Sequence, residues 1–235
     1  MPPADHISKQ FDADLESLRQ RVLTMGSIAE QQVRYAVEAL RRGDPSVLSR
    51  FNGEEDRLNG LERLVDESAA TLLARRAPTA NDLRFVVGVL KMATDLERIG
   101  DEAKKIAFVA MRAVPGERLK SAAYAEIQLV AAMVDDMLRR TMHSFAELQS
   151  FDAPDIVRLD QEVDDYFRST LRMLLTYMIE DPRTISPAID LIFVAKALER
   201  VGDHAKNISR HVVYITKGED VRHVSMERLE AAVRS

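Results

Sequence analysis

The stretch "LERIGDEAKKI" (residues 96–106) returns as "LERVGDHAKNI" (residues 198–208), with eight of eleven positions identical at a constant offset of 102. In a chain of 235 residues, that interval makes the second half a copy of the first. Outward from this pair, the prolines mark the joints of the copied unit. Pro45, Pro78, Pro115, Pro154, Pro182 and Pro187 all stand beside Gly, Asp, Ser, Thr or Ala, mostly in turn and cap chemistry, and they divide the chain into six segments. Inside the segments apolar residues recur at three- and four-residue spacing, as at Leu58, Leu61, Leu64, Val65 and Leu72. Every segment therefore reads as a helix, about 45 Å long if unbroken. Short joins between long helices make sequential neighbours antiparallel. The expected fold is all-α: two similar three-helix bundles in tandem, over residues 8–114 and 115–217, with a tail at 218–235 that holds one more short amphipathic helix.

Composition narrows the function. No cysteine is present, which removes disulfides, thiolate ligands and cysteine nucleophiles together and fits a reducing, cytoplasmic setting. A net charge of -5 and the absence of Trp argue against nucleic acid as a partner. No uninterrupted apolar run approaches the roughly 20 residues of a membrane span. Gly-rich phosphate loops, nucleophile elbows and Ser/His pairs at recognisable spacing are missing too.

The repeated stretch carries carboxylates in a pattern. At about 100° per residue, Leu83, Val86, Leu90 and Ala93 share a stripe with Glu97 and Asp101, and Ile185, Ala188, Ile192 and Ala195 share one with Glu199 and Asp203. Each stripe turns from apolar to acidic halfway along its helix. Glu97/Asp101 and Glu199/Asp203 are like-charge i, i+4 pairs, which destabilise a bare helix by a few tenths of a kcal/mol, so a positive group is expected between them. Gly100 and Gly202 recur at the same place, where Gly costs about 1 kcal/mol relative to Ala, and this points to close approach of another group. Folding each preceding helix back brings Glu55 and Asn59 to the height of the first pair, and Asp160 and Asp164 to the height of the second. Oxygen donors of this kind suit Mg, Mn, Ca or ferric iron, with Zn less favoured. Ion pairing with Lys104, Lys206, Arg98 and Arg200 is the competing account, and His204 is expected at the surface or behind the ligands. The methionines on apolar faces, such as Met137 and Met142, are expected to be core filler.

The segments "PTANDLRFVVGVLKMATDLERIGDEAKKIA" and "DPRTISPAIDLIFVAKALERVGDHAKNI", with "EEDRLNGLE", "LDQEVDD" and the closing "GEDVRHV", strongly resemble the PhoU family of phosphate-transport regulators over about residues 7–224. The resemblance implies two three-helix bundles whose E(D)xxxD motifs hold a metal ion or cluster. Matched residue by residue, these are Glu55/Asn59 with Glu97/Asp101, and Asp160/Asp164 with Glu199/Asp203. Asn59 departs from the motif, where an Asp would complete it, so weaker binding is expected in the first repeat. The resemblance also implies an adaptor and not an enzyme. Such a protein keeps the phosphate-starvation response off and restrains uptake by linking the phosphate ABC transporter to a sensor histidine kinase, as a cytoplasmic homodimer that reaches the membrane only through those partners. A metal-dependent, carboxylate-bridged enzyme or a metal-storage bundle is the alternative.

Overall fold

The computed structural model describes residues 9–42, 47–75, 78–112 and 121–234. Among them the chain forms α1 (Lys9–Arg42), α2 (Val47–Arg75), α3 (Ala80–Arg112), α4 (Ser121–Ala146), α5 (Ala153–Glu180), α6 (Ile185–Lys217) and α7 (Met226–Arg234), with a 3-10 turn at Pro182–Thr184 between α5 and α6. No strand occurs among the described residues. The joints at Pro45 and Pro115 lie outside them. The other joints behave as local chemistry requires. Thr79 and Asp82 cap the start of α3 reciprocally: the Thr79 hydroxyl donates to Asp82 Oδ2 at 2.6 Å, and the Asp82 amide reaches back to Thr79 Oγ1 at 3.5 Å. Pro154 sits in the first turn of α5, where its missing N–H costs nothing. Helix α6 stops at Gly218, whose φ of 77° is left-handed and whose N–H donates to the Tyr214 carbonyl at 3.0 Å.

Helices α1, α2 and α3 pack on one another, as do α4, α5 and α6, and the two sets join mainly through α3 lying along α6. One hydrophobic core runs through all six helices. Helix α3 therefore buries two sides at once, toward α1 and toward α6, and residues such as Val86, Val89, Met92, Leu96, Ile99, Ala103 and Ile106 are fully buried. This changes the stripe expected from periodicity. Val86 and Ala93 are buried, but Leu83 and its counterpart Ile185 lie at the outer edge of their helices and are exposed. Met137 and Met142 fill the core as expected. The tail helix α7 closes a smaller core of its own, with Leu229, Ala232 and Val233 against Ala153, Val157, Val213 and Val221. Arg158 pairs with Glu230 at its edge.

Candidate functional site

In the second repeat, Asp160 on α5 and Asp203 on α6 meet at one cation. Lys206 Nζ donates to Asp160 Oδ2 at 2.6 Å and to Asp203 Oδ1 at 2.7 Å. Asp160 is almost fully buried. Burial pushes its carboxyl above the usual range; Lys206 opposes that, and the neighbouring Asp203 and Asp164 add to it. Burial would lower the Lys206 ammonium, but Asp160 and Asp203 outweigh it and hold the pKa up. The remaining two expected residues are engaged elsewhere. Glu199 takes Lys196 at 2.6 and 2.7 Å, and Asp164 stands 3.9 Å from Arg168.

The first repeat is arranged differently. Lys104, the counterpart of Lys206, donates to Glu55 at 2.6 Å. Glu97 and Asp101 share the exposed Arg98, at 3.6 and 3.8 Å. Asn59 is exposed. Burial raises the Glu97 carboxyl, and the charges of Asp101, Glu62 and Glu55 raise it further against the opposing Arg98. Glu62, which spacing alone did not single out, is raised by burial and by Asp66 and Asp101, while Thr94 and Arg98 pull it down. It lies seven residues from Glu55 and three from Asn59, on the same face of α2.

Among the described residues, no three His, Asp or Glu side chains are already grouped to surround an ion. In the second repeat the folded chain brings two carboxylates to one ammonium; in the first, Lys104 takes Glu55 alone, and Glu97 and Asp101 share only the exposed Arg98 at longer range. The donors are hard oxygens, so a hard divalent or ferric cation fits their chemistry. In the first repeat, burial and then the neighbouring carboxylates raise Glu97 and Glu62. In the second, Lys206 already supplies the positive charge expected between the acidic pairs.

The repeated glycines separate in the same way. A Cβ on Gly100 would stand 2.5 Å from Leu58 Cδ2 and 2.9 Å from Gln32 Oε1, whereas one on Gly202 would meet Val134, Val163 and Asp160 at 3.7–3.8 Å. Close approach explains the first glycine only. Gln32 is buried with its Oε1 unpaired, and its counterpart beside Gly202 is the apolar Val134.

His204 is neither a free surface residue nor behind the acidic pair. It crosses to the other repeat, with Nδ1 2.8 Å from Asp95 Oδ1, while His211 Nε2 lies 3.3 Å from Asp95 Oδ2. Nearby, the buried Glu102 takes Lys105 at 2.8 Å and Arg200 at 3.6 Å. Lys105 thus pairs with Glu102 on its own helix, and Arg200 bridges the repeats. Asp95 and His211 carried no repeat signal in the sequence, because their counterparts are Ala197 and Val109.

Glu97→Gln is expected to stabilise the metal-free protein by a few tenths to about 1 kcal/mol at neutral pH, since it removes a partly desolvated charge and its repulsion with Asp101 and Glu62. The sign follows from the raised pKa. A carboxyl that titrates higher in the folded state favours folding while protonated, and that contribution is lost as pH rises through the folded value. Urea unfolding of the two proteins should therefore coincide near about pH 4 and diverge toward neutrality.

Comparison with known proteins places both halves in one family pattern. The PhoU domain model matches residues 22–110 and again residues 127–212. A Pseudomonas putida protein named phosphate-specific transport system accessory protein PhoU homolog is 40% identical over 230 residues, covering 97% of this chain and 89% of its own length. The Escherichia coli K12 phosphate-specific transport system accessory protein PhoU is 36% identical over 225 residues, covering 96% and 92%. The crystal structure of PhoU from Pseudomonas aeruginosa superposes with a TM-score of 0.84 at 38% identity, over 89% of this chain and 100% of that one.

Proposed function

The chain belongs to the PhoU family, and from that premise we propose that it is a negative regulator of the phosphate-starvation response and of phosphate uptake. The observation that carries this reading is that both repeats match the family model, in a chain that parallels phosphate-transport accessory proteins along almost its whole length. It acts as an adaptor, pairing with a second copy of itself and linking the phosphate ABC transporter to a sensor histidine kinase. The long helical faces of a two-repeat body suit contact with more than one partner, although fold alone would not name them. The setting is cytoplasmic, and membrane association runs through the partners. No helix among the described residues is long and apolar enough to cross a membrane.

No turnover is assigned. The repeated carboxylates are engaged by Lys104, Arg98, Lys196 and Lys206, an arrangement that suits charge compensation better than proton transfer. A divalent or ferric cation, Mg, Mn, Fe or Zn, would be held by Glu55, Asn59, Glu97 and Asp101 in the first repeat, and by Asp160, Asp164, Glu199 and Asp203 in the second. Such an ion would supply positive charge among the carboxylates. In the second repeat Lys206 must yield its place, and in the first the neutral Asn59 gives a weaker oxygen. In this reading Glu97→Gln loses bound metal while gaining stability without it, a combination that a purely structural ion pair does not produce.

The direct test is a phosphate-starvation reporter in phosphate-rich medium, with and without the protein. High reporter activity only in its absence, repressed again by the intact chain, is the expected result. Unchanged low activity would remove the regulatory reading.

A further inference from the structure

The two acidic sites differ less in their carboxylates than in the cations the chain itself supplies to them. A lysine stands three residues after the aspartate of each motif, Lys104 after Asp101 and Lys206 after Asp203. Each donates at 2.6 Å to the matching carboxylate of the preceding helix, Glu55 or Asp160. There the likeness ends. Lys206 also takes Asp203 at 2.7 Å, whereas Asp101 turns to Arg98 at 3.8 Å. The Lys206–Asp160 pair is enclosed, with side chains 16% and 7% exposed, against 32% and 27% for Lys104 and Glu55.

One helical turn further along, the repeats diverge again. Arg210 follows Lys206 on α6 with its Nε buried and without a partner, and the charges that offset its burial are those of Asp160 and Asp203. The first repeat has Phe108 in its place, exposed, with Lys104 Nζ 6.0 Å from the ring centre. On the acidic side the difference is reversed. By the offset that matches Glu55 to Asp160, the counterpart of Glu62 is Phe167. A guanidinium thus bears on the acidic pair of the second repeat, and an additional carboxylate bears on Glu97 and Asp101 in the first.

These differences decide what an entering ion must displace. In the first repeat, Glu97 and Asp101 hold only the exposed Arg98 at 3.6 and 3.8 Å, contacts that are worth little in water. A divalent ion that binds there breaks no buried pair. In the second repeat it must expel an ammonium bonded to two carboxylates, one of them almost fully buried, and then sit beside Arg210. The expelled ammonium stays tethered within a side chain's length of the carboxylates, so it competes at an effective concentration that does not fall on dilution. The neutral Asn59 takes one negative charge from the first site. Lys206 and Arg210 set two positive charges against the second.

We propose that Lys206 is a tethered counter-ion that closes the second repeat to hard divalent cations, so that the first repeat fills first and Lys206 sets when the second fills. This deepens the cation reading given above and rests on it. The probe is manganese(II) alone, titrated into the full chain and followed by the paramagnetic resonance of the free ion. Tight binding by the intact protein should be lost in Asp101→Ala and kept in Asp203→Ala. Lys206→Met should tighten binding in the second repeat at least about 10-fold, Lys206→Arg should not, and adding Asp203→Ala should abolish the gain. A lysine with only a structural role would weaken binding when removed, or leave it unchanged.

Lys206→Met leaves the buried Asp160 without its partner, so a second readout uses the intact protein. Acetylation by acetic anhydride, read residue by residue by mass spectrometry, should find Lys206 protected while the first ion binds and reactive only as the second enters. Where Lys206→Met does not fold, this order decides the matter. Loss of the tight ion in Asp203→Ala, no gain in a folded Lys206→Met, or a Lys206 uncovered by the first ion would overturn the proposal and leave the cation reading in place. An intact chain that binds no manganese(II) would remove both.

Discussion

Asp95→Ala is expected to lower the unfolding free energy by about 2–4 kcal/mol, the cost of leaving mostly buried hydrogen-bonding groups without their charged partner. Asp95 reaches from α3 to two imidazoles on α6, so its loss loosens the seam between the repeats and not one bundle. Burial pushes the Asp95 carboxyl up, but hydrogen bonds and charges from His204 and His211 outweigh it and hold the pKa below the usual carboxylate range. A carboxyl that titrates lower in the folded state contributes stability above its unfolded pKa, and that contribution is lost as pH falls through the folded value. The gap between the parent and Asp95→Asn should therefore be full at neutral pH and shrink below about pH 4. Denaturant unfolding of Asp95→Ala, His211→Ala and the double variant gives the coupling directly. Additive losses would show that the histidines and Asp95 do not act as one unit.

The second large effect contrasts the two glycines. Gly100→Ala gains about 1 kcal/mol in helix propensity, but its Cβ would sit 2.5 Å from Leu58 Cδ2 and 2.9 Å from Gln32 Oε1. Leu58 and Gln32 are themselves buried, so their ends have little room to move. Overpacking of this kind costs about 1–3 kcal/mol, and a net loss of up to about 2 kcal/mol is expected. Gly202→Ala meets only ordinary contacts at 3.7–3.8 Å and should be neutral or stabilising by up to about 1 kcal/mol. Paired melting curves of the two variants decide it. Equal destabilisation would mean that Gly202 is also held by close packing. Opposite signs would mean that close packing holds Gly100 and not Gly202.

The contrast shows how far periodicity reaches. Helix existence, the joints at Pro78, Pro154 and Pro182 and the short tail helix were legible because each depends on residues a few positions apart. The duplication was legible because identical residues recur at one offset. Partners were legible only as a set: pairing of the repeated carboxylates with Lys104 and Lys206 was the competing account, but that Lys104 takes Glu55 while Asp160 and Asp203 share Lys206 was not readable from spacing. Helix rotation decides which of several nearby charges a side chain meets, and helical periodicity does not report it.

Sequence by itself determined that this chain is an all-α duplication with paired acidic motifs, since hydrophobic spacing and repetition are one-dimensional properties. Only the tertiary structure decided that α3 and α6 form one seam, joined by Asp95, His204 and His211, because those residues have no repeat partners and meet across 109 and 116 positions of chain. It also decided which apolar residues stay outside. Ile185 sits in a stripe that continues into buried residues, yet the packing of α5 and α6 leaves it exposed beside Ile179. A stripe wider than its neighbour can cover must leave an edge in solvent, and where that edge falls is set by helix-to-helix packing alone.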